Sequence, residues 1–363
     1  MNVDNFGIAL TRGISYDEVR LWSNPLTWGN DDLPAEGESV SIPVGTSILF
    51  DVDSTPVLDT VIVEGSLFFI SDADSEHVRT FDAHNIIIQG GYMEVGTEEQ
   101  PYTSKLIFTM HGTPDSAKLP IFGSKTLAVS YGQLEMHGAP REVTWTQLES
   151  TVSGGSQTLT FVGSVDFKEE DEIVIAGTGN TNDEHEVSVI SSMVDDVTAE
   201  IADALSFDHK GELNIYEDIE VPMRAEVGLL SRNIVFQGDA SSFENNFGAT
   251  LMVMSTGDES SVSRIEYVEF RNVGQVSSRN GFPVNYMIAG SARESYIRGN
   301  SIRGSYNRAI ALSSASELSV SENVVYNVKG HAYFLQNGVE VNNQFSHNLA
   351  VNVLASDLLR KTD

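Results

Sequence analysis

Residues 296–351 read YIRGNSIRGSYNRAIALSSASELSVSENVVYNVKGHAYFLQNGVEVNNQFSHNLAV, and this stretch decides the fold. One short pattern occurs in it three times: an apolar residue, an asparagine three positions later and a second apolar residue two positions after that. The copies begin at Ile297, Val320 and Phe345, so the repeat lengths are 23 and 25 residues. Repeats of this length, built from short apolar segments, are typical of a parallel β-solenoid in which each coil covers the apolar face of its neighbour.

The asparagines of the repeat predict a ladder at one turn of the coils. Asn300, Asn323 and Asn348 occupy the same position in the three copies. Asparagine tolerates left-handed backbone angles, and its amide can hydrogen-bond turn groups of the neighbouring coils that would otherwise lack partners. The flanking apolar residues are expected to stack inside the cylinder. An earlier copy, Ile265-x-x-Val268-x-Phe270, has valine at the asparagine position, and its separation of 32 residues from Ile297 leaves room for a loop.

Residues 14–115 read as short strands separated by glycine turns. The apolar segments there are rich in β-branched and aromatic side chains, and helix signals are nearly absent. Gly65, Gly91 and Gly132 each open a strand, where a sharp corner needs a positive φ or a close approach of two backbones. The sequence therefore predicts an all-β protein that already coils as a solenoid near its N-terminus.

The composition limits the partners. The chain has 363 residues, 40% of them hydrophobic, and a formal net charge of −31. This charge repels nucleic acid and anionic lipid surfaces, so neither is expected as a partner. Its simplest interpretation is a solubilising surface suited to salty surroundings. The chain contains no cysteine, which excludes thiol catalysis, cysteine-bound metal and disulfides.

Sequence signals for membrane insertion and export are absent. No apolar run approaches the roughly 18 residues that a membrane span needs. Residues 1–13 lack the basic start and apolar block of a secretion signal. No Asn-x-Ser/Thr acceptor for N-glycans occurs either. Together with the lack of cysteine, this favours a microbial source over a secreted animal ectodomain, and the charge suits a marine one.

Clusters of acidic residues raise a second interpretation of the charge, which is binding of Ca²⁺. The first cluster contains Asp72, Asp74 and Glu76, and these are the candidate metal ligands. Neither this cluster nor the later ones have the ligand spacing and turn glycine of a complete EF-hand loop. No other cofactor is expected.

A series of glycine motifs resembles the G8 domain, which is named for eight recurring glycines. The motifs are Trp28-Gly29, Leu33-Pro34-x-x-Gly37-x-x-Val40-x-Ile42, Gly65-x-Leu67 and Gly90-Gly91, and the eight counterparts are Gly29, Gly37, Gly45, Gly65, Gly90, Gly91, Gly96 and Gly112. Later motifs, from His137-Gly138 to Gly338-Val339-Glu340, follow in the order of the family, so the resemblance covers about residues 20–354. The family includes fibrocystin-like proteins, transmembrane protein 2 and the cell-migration-inducing hyaluronan-binding protein.

The resemblance implies a division of the chain into three parts. We expect a G8-type β-rich domain over residues 14–139, a small β-subdomain over 140–222 and a right-handed parallel β-helix over 223–363. No terminal cap follows the last repeat. The chain is therefore expected to continue in a longer protein, or to have its last coil covered by a partner chain.

Family members that act on hyaluronan imply a polysaccharide as substrate, but this chain departs from the family at the candidate site. A Tyr-Pro-Ile-His-Phe-His-like run is replaced by FPVNYM at residues 282–287. Arg303 and Ser313 stand where related sequences commonly carry histidines, and Gln336-Asn337 stands where a Glu-Asp pair is common. Amides, hydroxyls and thioethers cannot exchange a proton near neutral pH. The resemblance therefore implies that the family chemistry has been lost at these positions.

Three titratable residues remain near this site. His331, Glu340 and His347 are the candidate catalytic residues. The alternative for His331 is a structural histidine that caps a coil, and Glu340 and His347 fit equally well as ordinary surface residues. Hydrolysis of a glycoside needs two carboxylates about 5 to 9.5 Å apart, and the acidic residues are too numerous for the sequence to select a pair.

Aromatic and basic residues favour glycan binding instead. Tyrosines recur along the solenoid, and arginines recur at a spacing of five residues from Arg293 to Arg308, which predicts a basic strip that could attract an anionic glycan. The tyrosines fit equally well as filling of the cylinder. The candidate glycan-binding residues are Tyr286, Arg303, Tyr306, Arg308, Asn285, Gln336 and Asn337.

The function that these observations favour is an extracellular or cell-surface module without catalytic activity, which binds an anionic or neutral polysaccharide or assembles with other chains. The first alternative is a polysaccharide-degrading enzyme of the hyaluronidase type. The second is a structural component of a fibre or surface layer. Converging titratable groups in a groove would indicate the enzyme, and a large apolar end surface would indicate the fibre.

Overall fold

A computed structural model describes residues 19–29, 32–256, 260–276, 278 and 280–355. Nearly all of its regular structure is β. The strands up to the first long turn region are β1 (Val19–Leu21), β2 (Val40–Ile42), β3 (Ser47–Phe50), β4 (Leu58–Val63), β5 (Ser66–Phe69), β6 (Val78–Gln89), β7 (Tyr92–Val95), β8 (Lys105–Met110), β9 (Thr126–Ser130) and β10 (Gln133–His137). The middle strands are β11 (Trp145–Gln147), β12 (Thr158–Thr160), β13 (Glu172–Ile175), β14 (Glu186–Met193), β15 (Thr198–Ile201), β16 (Gly211–Tyr216), β17 (Ile219–Arg224) and β18 (Glu226–Leu229).

The remaining strands follow the middle part of the chain. They are β19 (Ile234–Gly238), β20 (Thr250–Met254), β21 (Val262–Glu266), β22 (Val268–Val273), β23 (Val284–Ser291), β24 (Tyr296–Arg298), β25 (Ser301–Ser305), β26 (Ile310–Ser316), β27 (Ser319–Ser321), β28 (Val324–Lys329), β29 (Tyr333–Leu335), β30 (Gln344–Ser346) and β31 (Leu349–Leu354). The helices described are α1 (Ser241–Asn245) and two 3-10 helices, Pro25–Trp28 and Asn182–Glu184. None of the helices described is long and apolar enough to cross a membrane.

Two long parallel sheets form the body of the molecule. One has nine strands in the order β1-β3-β5-β7-β10-β21-β24-β27-β30, and the other has fourteen. Strand β6 pairs with β8 along its first half and with β9 along its second half, so the larger sheet curls around the core. The buried apolar side chains of both sheets form one continuous cluster from Trp22 to Ala332. The prediction of an all-β parallel β-helix is confirmed.

The repeat that predicted the coils sets the register of their strands. Ile265 pairs with Ile297, Ile297 with Val320 and Val320 with Phe345 in neighbouring strands. The first three of these side chains are fully buried, whereas Phe345 is 38% exposed because no described coil covers it. Each apolar position of the repeat is thus one layer of the core, as predicted.

The asparagine ladder is also present. The Asn323 side-chain oxygen accepts from both the backbone and the side-chain amide of Asn300, each at 3.0 Å. Asn323 in turn donates to the Asn348 side-chain oxygen at 2.9 Å and to the carbonyl of Ile297 at 3.0 Å. Asn300 and Asn323 are fully buried. The ladder therefore satisfies turn groups that water cannot reach.

The corner glycines avoid a clash between coils. A Cβ on Gly65 would lie 2.2 Å from the carbonyl oxygen of Thr46, and one on Gly91 would lie 2.3 Å from that of Val63. None of Gly65, Gly91 and Gly132 has a positive φ. Of the two reasons that the sequence left open, close backbone approach is therefore the correct one.

The N-terminal and C-terminal coils join directly. Strand β10 pairs in parallel with β21, so that Met136 lies opposite Ile265. The residues between them include an antiparallel six-stranded sheet in the order β11-β18-β13-β14-β15-β12, with an apolar core of its own, and the hairpin β16-β17. The predicted domain boundaries stay predictions, but both ends of the chain share the same two parallel sheets. One rigid surface thus combines residues from before and after the antiparallel insertion.

Candidate functional site

Polar side chains cover the outer face of the nine-stranded sheet where β7, β10, β21 and β24 lie side by side. Side chains alternate between the two faces of a strand, so every second residue points away from the core. One outward row consists of Glu94, Glu135, Arg264 and Tyr296, which occupy the same register position on neighbouring strands. His137 lies opposite Glu266 in the next outward row. Because coils stack at the spacing of β-strands, these groups are within hydrogen-bond reach of one another.

His137 lies between two carboxylates. Its Nε2 donates to Glu135 at 2.7 Å, and its Nδ1 donates to Glu266 at 2.8 Å. The three side chains are 1%, 5% and 3% exposed. Burial by itself lowers the pKa of His137, but the hydrogen bonds and charges of Glu135 and Glu266 outweigh it and raise that pKa to about 9. The imidazole is therefore a fixed cation at neutral pH.

The carboxylates of this cluster accept hydrogen bonds from several cationic side chains. Burial opposes ionisation of Glu266, but the hydrogen bonds from His137 and Arg298 lower its pKa below the ordinary range. Glu135 also accepts from Arg264 at 2.7 Å and from Gln133 at 2.5 Å. Arg298 donates to Glu266 and, at 2.9 Å, to Glu98. The result is a network of alternating charges that fixes each side chain in one orientation.

A cleft of about 250 Å³ lies above this network. Its lining residues are Tyr92, Thr97, Glu98, Glu99, Gln133, Glu135, His137, Arg264 and Tyr296. The buried hydroxyl of Tyr296 has no hydrogen-bond partner among the described residues. Burial raises the pKa of this hydroxyl, which therefore stays protonated and able to donate. We call this surface, with the nine residues given above, the polar cleft.

The amide positions predicted as a site lie elsewhere, on the fourteen-stranded sheet. Asn285 is fully buried and donates to the carbonyl of Asn280 at 3.1 Å, so it cannot reach a ligand. Ser313 donates to Gln336 at 2.5 Å, and Asn337 donates to the Ser314 hydroxyl at 2.8 Å. Of the predicted amides, only Gln336 and Asn337 are accessible at this surface. The prediction of Asn285 as a glycan ligand is wrong for that reason.

The predicted catalytic residues each serve a local contact. His331 accepts at Nδ1 from Arg308 at 3.3 Å and packs on Phe334. His347 stacks on Trp145, with ring centroids 4.5 Å apart, and bonds to Glu322 at 2.5 Å.

Glu340 closes a turn. It accepts backbone N–H groups of Ser314 at 2.8 Å and Asn337 at 3.1 Å. Burial opposes ionisation of Glu340, but these bonds lower its pKa. The contacts given above for His331, His347 and Glu340 are all different, so these contacts do not place the three side chains in one groove. Their catalytic role stays a prediction.

The predicted basic strip does not form. Gly299 and the ladder asparagine Asn300 make the turn between β24 and β25, so Arg298 and Arg303 lie on different sheets. Arg303 donates to Glu172 at 2.6 Å and to Glu269 at 2.7 Å, and so joins the antiparallel insertion to the β-helix. Arg298 and Arg303 therefore do not share one surface, and an anionic glycan as partner stays a prediction without this strip to support it.

The predicted tyrosine and arginine contacts are mostly interior. Tyr286 belongs to the core and is fully buried, because it alternates with the outward residues of β23. Tyr306 and Arg308 are 8% and 7% exposed, and Arg308 lies 4.3 Å from the ring centre of Phe334. Tyr286 cannot stack on a sugar from this position, and the sequence offered no signal for which tyrosines face inward.

The predicted calcium ligands do not converge. Both oxygens of Asp72 accept from Arg79, at 2.7 and 2.8 Å, while Asp74 caps the backbone N–H of Glu76 at 3.0 Å. Among the described residues, no group of three or more His, Asp or Glu side chains is placed to hold a metal ion. Both oxygens of Asp72 are engaged by Arg79, which gives no support to this cluster as a calcium site, and calcium binding there stays a prediction.

Sequence reasoning missed most of the polar cleft. The signal that could have found it is Glu135-x-His137, directly after the corner glycine Gly132, since alternation on a strand puts both side chains on one face. Their partners Arg264, Glu266 and Tyr296 are 129 or more residues away in the chain, as in the pair His137 and Glu266. Only the stacking of coils brings them together.

Two protein-family models match this chain in the order that the sequence motifs predicted. A G8 domain model matches residues 27–149, and a CEMIP beta-helix model matches residues 246–363. Fibrocystin-L from Homo sapiens is 32% identical over 100% of this chain and 9% of its own length. Protein rliB from Dictyostelium discoideum is 29% identical over 91% of this chain and 29% of its own length. The chain thus corresponds to a small part of each relative.

Among solved structures, the tailspike protein gp49 from Pseudomonas phage LKA1 covers 85% of this chain, and the alignment covers 47% of gp49. The TM-score is 0.22 and the sequence identity is 14%, a likeness too low to carry an argument. The family models and the whole-length similarity to fibrocystin-L carry the assignment instead. The two models match in order along one continuous β-helix, so the chain combines a G8 domain with a CEMIP-type beta-helix and is similar over its whole length to part of fibrocystin-L.

Proposed function

We propose that this chain is an extracellular or cell-surface module that binds a glycan in the polar cleft and does not cleave it. The observation that carries the proposal is the cleft itself, in which two tyrosines border side-chain donors and acceptors that the network holds in place. Sugars are bound by such fixed polar groups together with aromatic surfaces, because both ring faces and hydroxyls need partners. A rigid network also limits the entropy lost on binding.

The cleft does contain converging titratable groups, the feature expected of an enzyme, but the pairing of these groups with one another argues against catalysis. A glycoside hydrolase needs a carboxylic acid that still holds its proton. Here Glu135 and Glu266 both accept from the cationic His137, and each accepts from an arginine as well. His137 does hold a proton, but it is 1% exposed and both nitrogens already donate to carboxylates. The imidazole proton of His137 is therefore poorly placed for transfer to a ligand in the cleft.

Binding and cleavage can be separated with a panel of neutral, anionic and cationic oligosaccharides, by recording both retention on the protein and chain length. The decisive variant is Tyr296→Phe. Since the Tyr296 hydroxyl has no hydrogen-bond partner in the described part of the chain, its removal should leave stability unchanged. Loss of one hydrogen bond to the ligand should weaken binding about fivefold to tenfold.

Tyr306→Phe is the matched control. Its hydroxyl also lacks a partner among the described residues, and its ring lies against Lys329 and Phe243 and not in the cleft. The control should bind like the wild type. Shortening of any oligosaccharide, or equal affinity of wild type and Tyr296→Phe for the retained one, would overturn the proposal.

A further inference from the structure

The polar cleft is acidic even after its ion pairs are counted. The network that forms it contains three cations, which are His137, Arg264 and Arg298. Six carboxylates surround them, namely Glu94, Glu98, Glu99, Glu135, Glu266 and Glu294. The cations lie within the network, each paired with two carboxylates. An anionic group that enters the cleft therefore meets an excess of negative charge.

Glu99 is the carboxylate best placed to meet a ligand. Its side chain is exposed at the rim of the cleft. Within the described part of the chain, no hydrogen bond or ion pair engages that side chain. Its neighbour Glu98 is also exposed and shares Arg298 with Glu266. A positively charged group on a ligand could pair with Glu99 without displacing an existing partner.

The tyrosines of the cleft favour the same ligand chemistry. The rings of Tyr92 and Tyr296 border the cleft, and an aromatic face attracts a cation as well as the C–H face of a sugar. Arg298 already lies 4.9 Å from the centre of the Tyr296 ring, which shows that this ring accepts a cation. At larger distance the net charge of −31 adds attraction for cations and repulsion of anions.

We propose that the ligand of the polar cleft is an amino sugar with a free, protonated amine, held by Glu99 and its neighbouring carboxylates. This inference rests on the proposed function and narrows its ligand from glycans in general to cationic ones. The amine pairs with the rim carboxylate, while the sugar hydroxyls bind the fixed groups and the unpartnered Tyr296 hydroxyl. Uronate-containing polymers are excluded by charge.

The test compares two ligands of the same length that differ only in the amine, the glucosamine hexamer and its fully N-acetylated form. Binding is measured at mildly acidic pH, where the amines of the glucosamine hexamer are protonated. The amine form should bind about tenfold more tightly than the acetylated form, and added salt should reduce the difference. Glu99→Gln should remove most of it.

Glu220→Gln is the matched control, because Glu220 is exposed on the hairpin β16-β17 and its loss changes the net charge by the same amount. The control should keep the preference for the amine form. Equal binding of both hexamers, sensitive to Tyr296→Phe, would overturn the amine inference and leave glycan binding in place.

Two further outcomes would also contradict the amine inference, and the first of them would contradict glycan binding as well. If neither hexamer nor any other glycan is retained, the inference falls together with the proposed function. If oligolysine binds as tightly as the glucosamine hexamer and displaces it, the cleft recognises a basic protein segment and the inference is also wrong.

Discussion

At the scale of single residues, the asparagine ladder turns a sequence repeat into buried hydrogen bonds. Asn323 is its central member, with donors and acceptors used on both sides. Replacing Asn323 with alanine would leave the backbone N–H of Asn300 and the carbonyl of Ile297 without these partners in a dry interior. An unsatisfied buried group costs about 1–3 kcal/mol, so we expect Asn323→Ala to lower the free energy of unfolding by about 3 kcal/mol.

Urea denaturation followed by circular dichroism measures this loss. Asn245→Ala is a suitable control, because Asn245 is exposed and makes one local bond to Ser241 in helix α1. That change should alter the free energy of unfolding by less than about 0.5 kcal/mol. Equal effects of the two variants would mean that the ladder marks the turns without stabilising them.

His137 predicts a pH dependence of stability. Its pKa is about 9 in the folded protein, against about 6.5 for an ordinary histidine. Because the folded-state pKa is raised, the proton stabilises the fold fully below about pH 6.5, and this contribution disappears as the pH rises through about 9. The shift corresponds to about 3 kcal/mol.

The measurement is the difference in unfolding free energy between wild type and His137→Gln across this pH range. Groups whose titration is the same in both proteins contribute equally to the two unfolding free energies, so they do not affect the difference. It should be largest below about pH 6.5 and smallest above about pH 9. A difference independent of pH would show that Glu135 and Glu266 do not hold the imidazole as a cation.

At the scale of elements, the corners of the coils depend on the absence of a side chain at Gly91. A Cβ there would overlap the carbonyl of Val63 at 2.3 Å, so the two backbones must separate. We expect Gly91→Ala to lower the free energy of unfolding by about 3 kcal/mol. Gly45 has a φ of +79 and nothing within 4 Å of the position of its Cβ, so Gly45→Ala should cost only the strain of that φ, about 1 kcal/mol.

Thermal unfolding of the two variants separates the two reasons for a corner glycine. A larger loss in Gly45→Ala than in Gly91→Ala would contradict the explanation by close approach.

The strands and coils of the β-helix could largely be predicted, because they follow from short apolar patterns that repeat along the sequence. The apolar positions around Asn300, Asn323 and Asn348 recur at the length of one coil, and stacking needs nothing else. The orientation of single side chains was harder to predict. The five-residue spacing of Arg298 and Arg303 suggested one strip, but the turn at Gly299 sends the two arginines to different sheets. A spacing of a few residues predicts a shared surface only when both residues lie on one strand.

At the scale of the whole molecule, the polar cleft could not be predicted because it is assembled across an insertion. Strands β10 and β21 are neighbours in the sheet, although the antiparallel six-stranded sheet lies between them in sequence. The sequence shows where coils exist but not which coil follows which after an insertion. The pairing of His137 with Glu266 depends on that return of the chain, and so does the function proposed for the cleft.

The net charge of −31 also acts on the whole molecule, and it predicts how salt affects stability. Like charges repel most strongly when the chain is compact, and the screening length falls from about 30 Å at 0.01 M salt to about 8 Å at 0.15 M. Added NaCl should therefore raise the melting temperature by about 2 °C, a shift that corresponds to roughly 1–2 kcal/mol for a chain of this size.

CaCl₂ at matched ionic strength distinguishes screening from specific binding. Asp72 is occupied by Arg79, and no metal-binding group is present in the part of the chain that the structure describes, so both salts should give nearly the same rise. Differential scanning fluorimetry with and without a chelator makes the comparison. A much larger rise in low millimolar Ca²⁺, reversed by the chelator, would mean that the acidic surface binds the ion specifically. The net charge would then have a structural role beyond solubility.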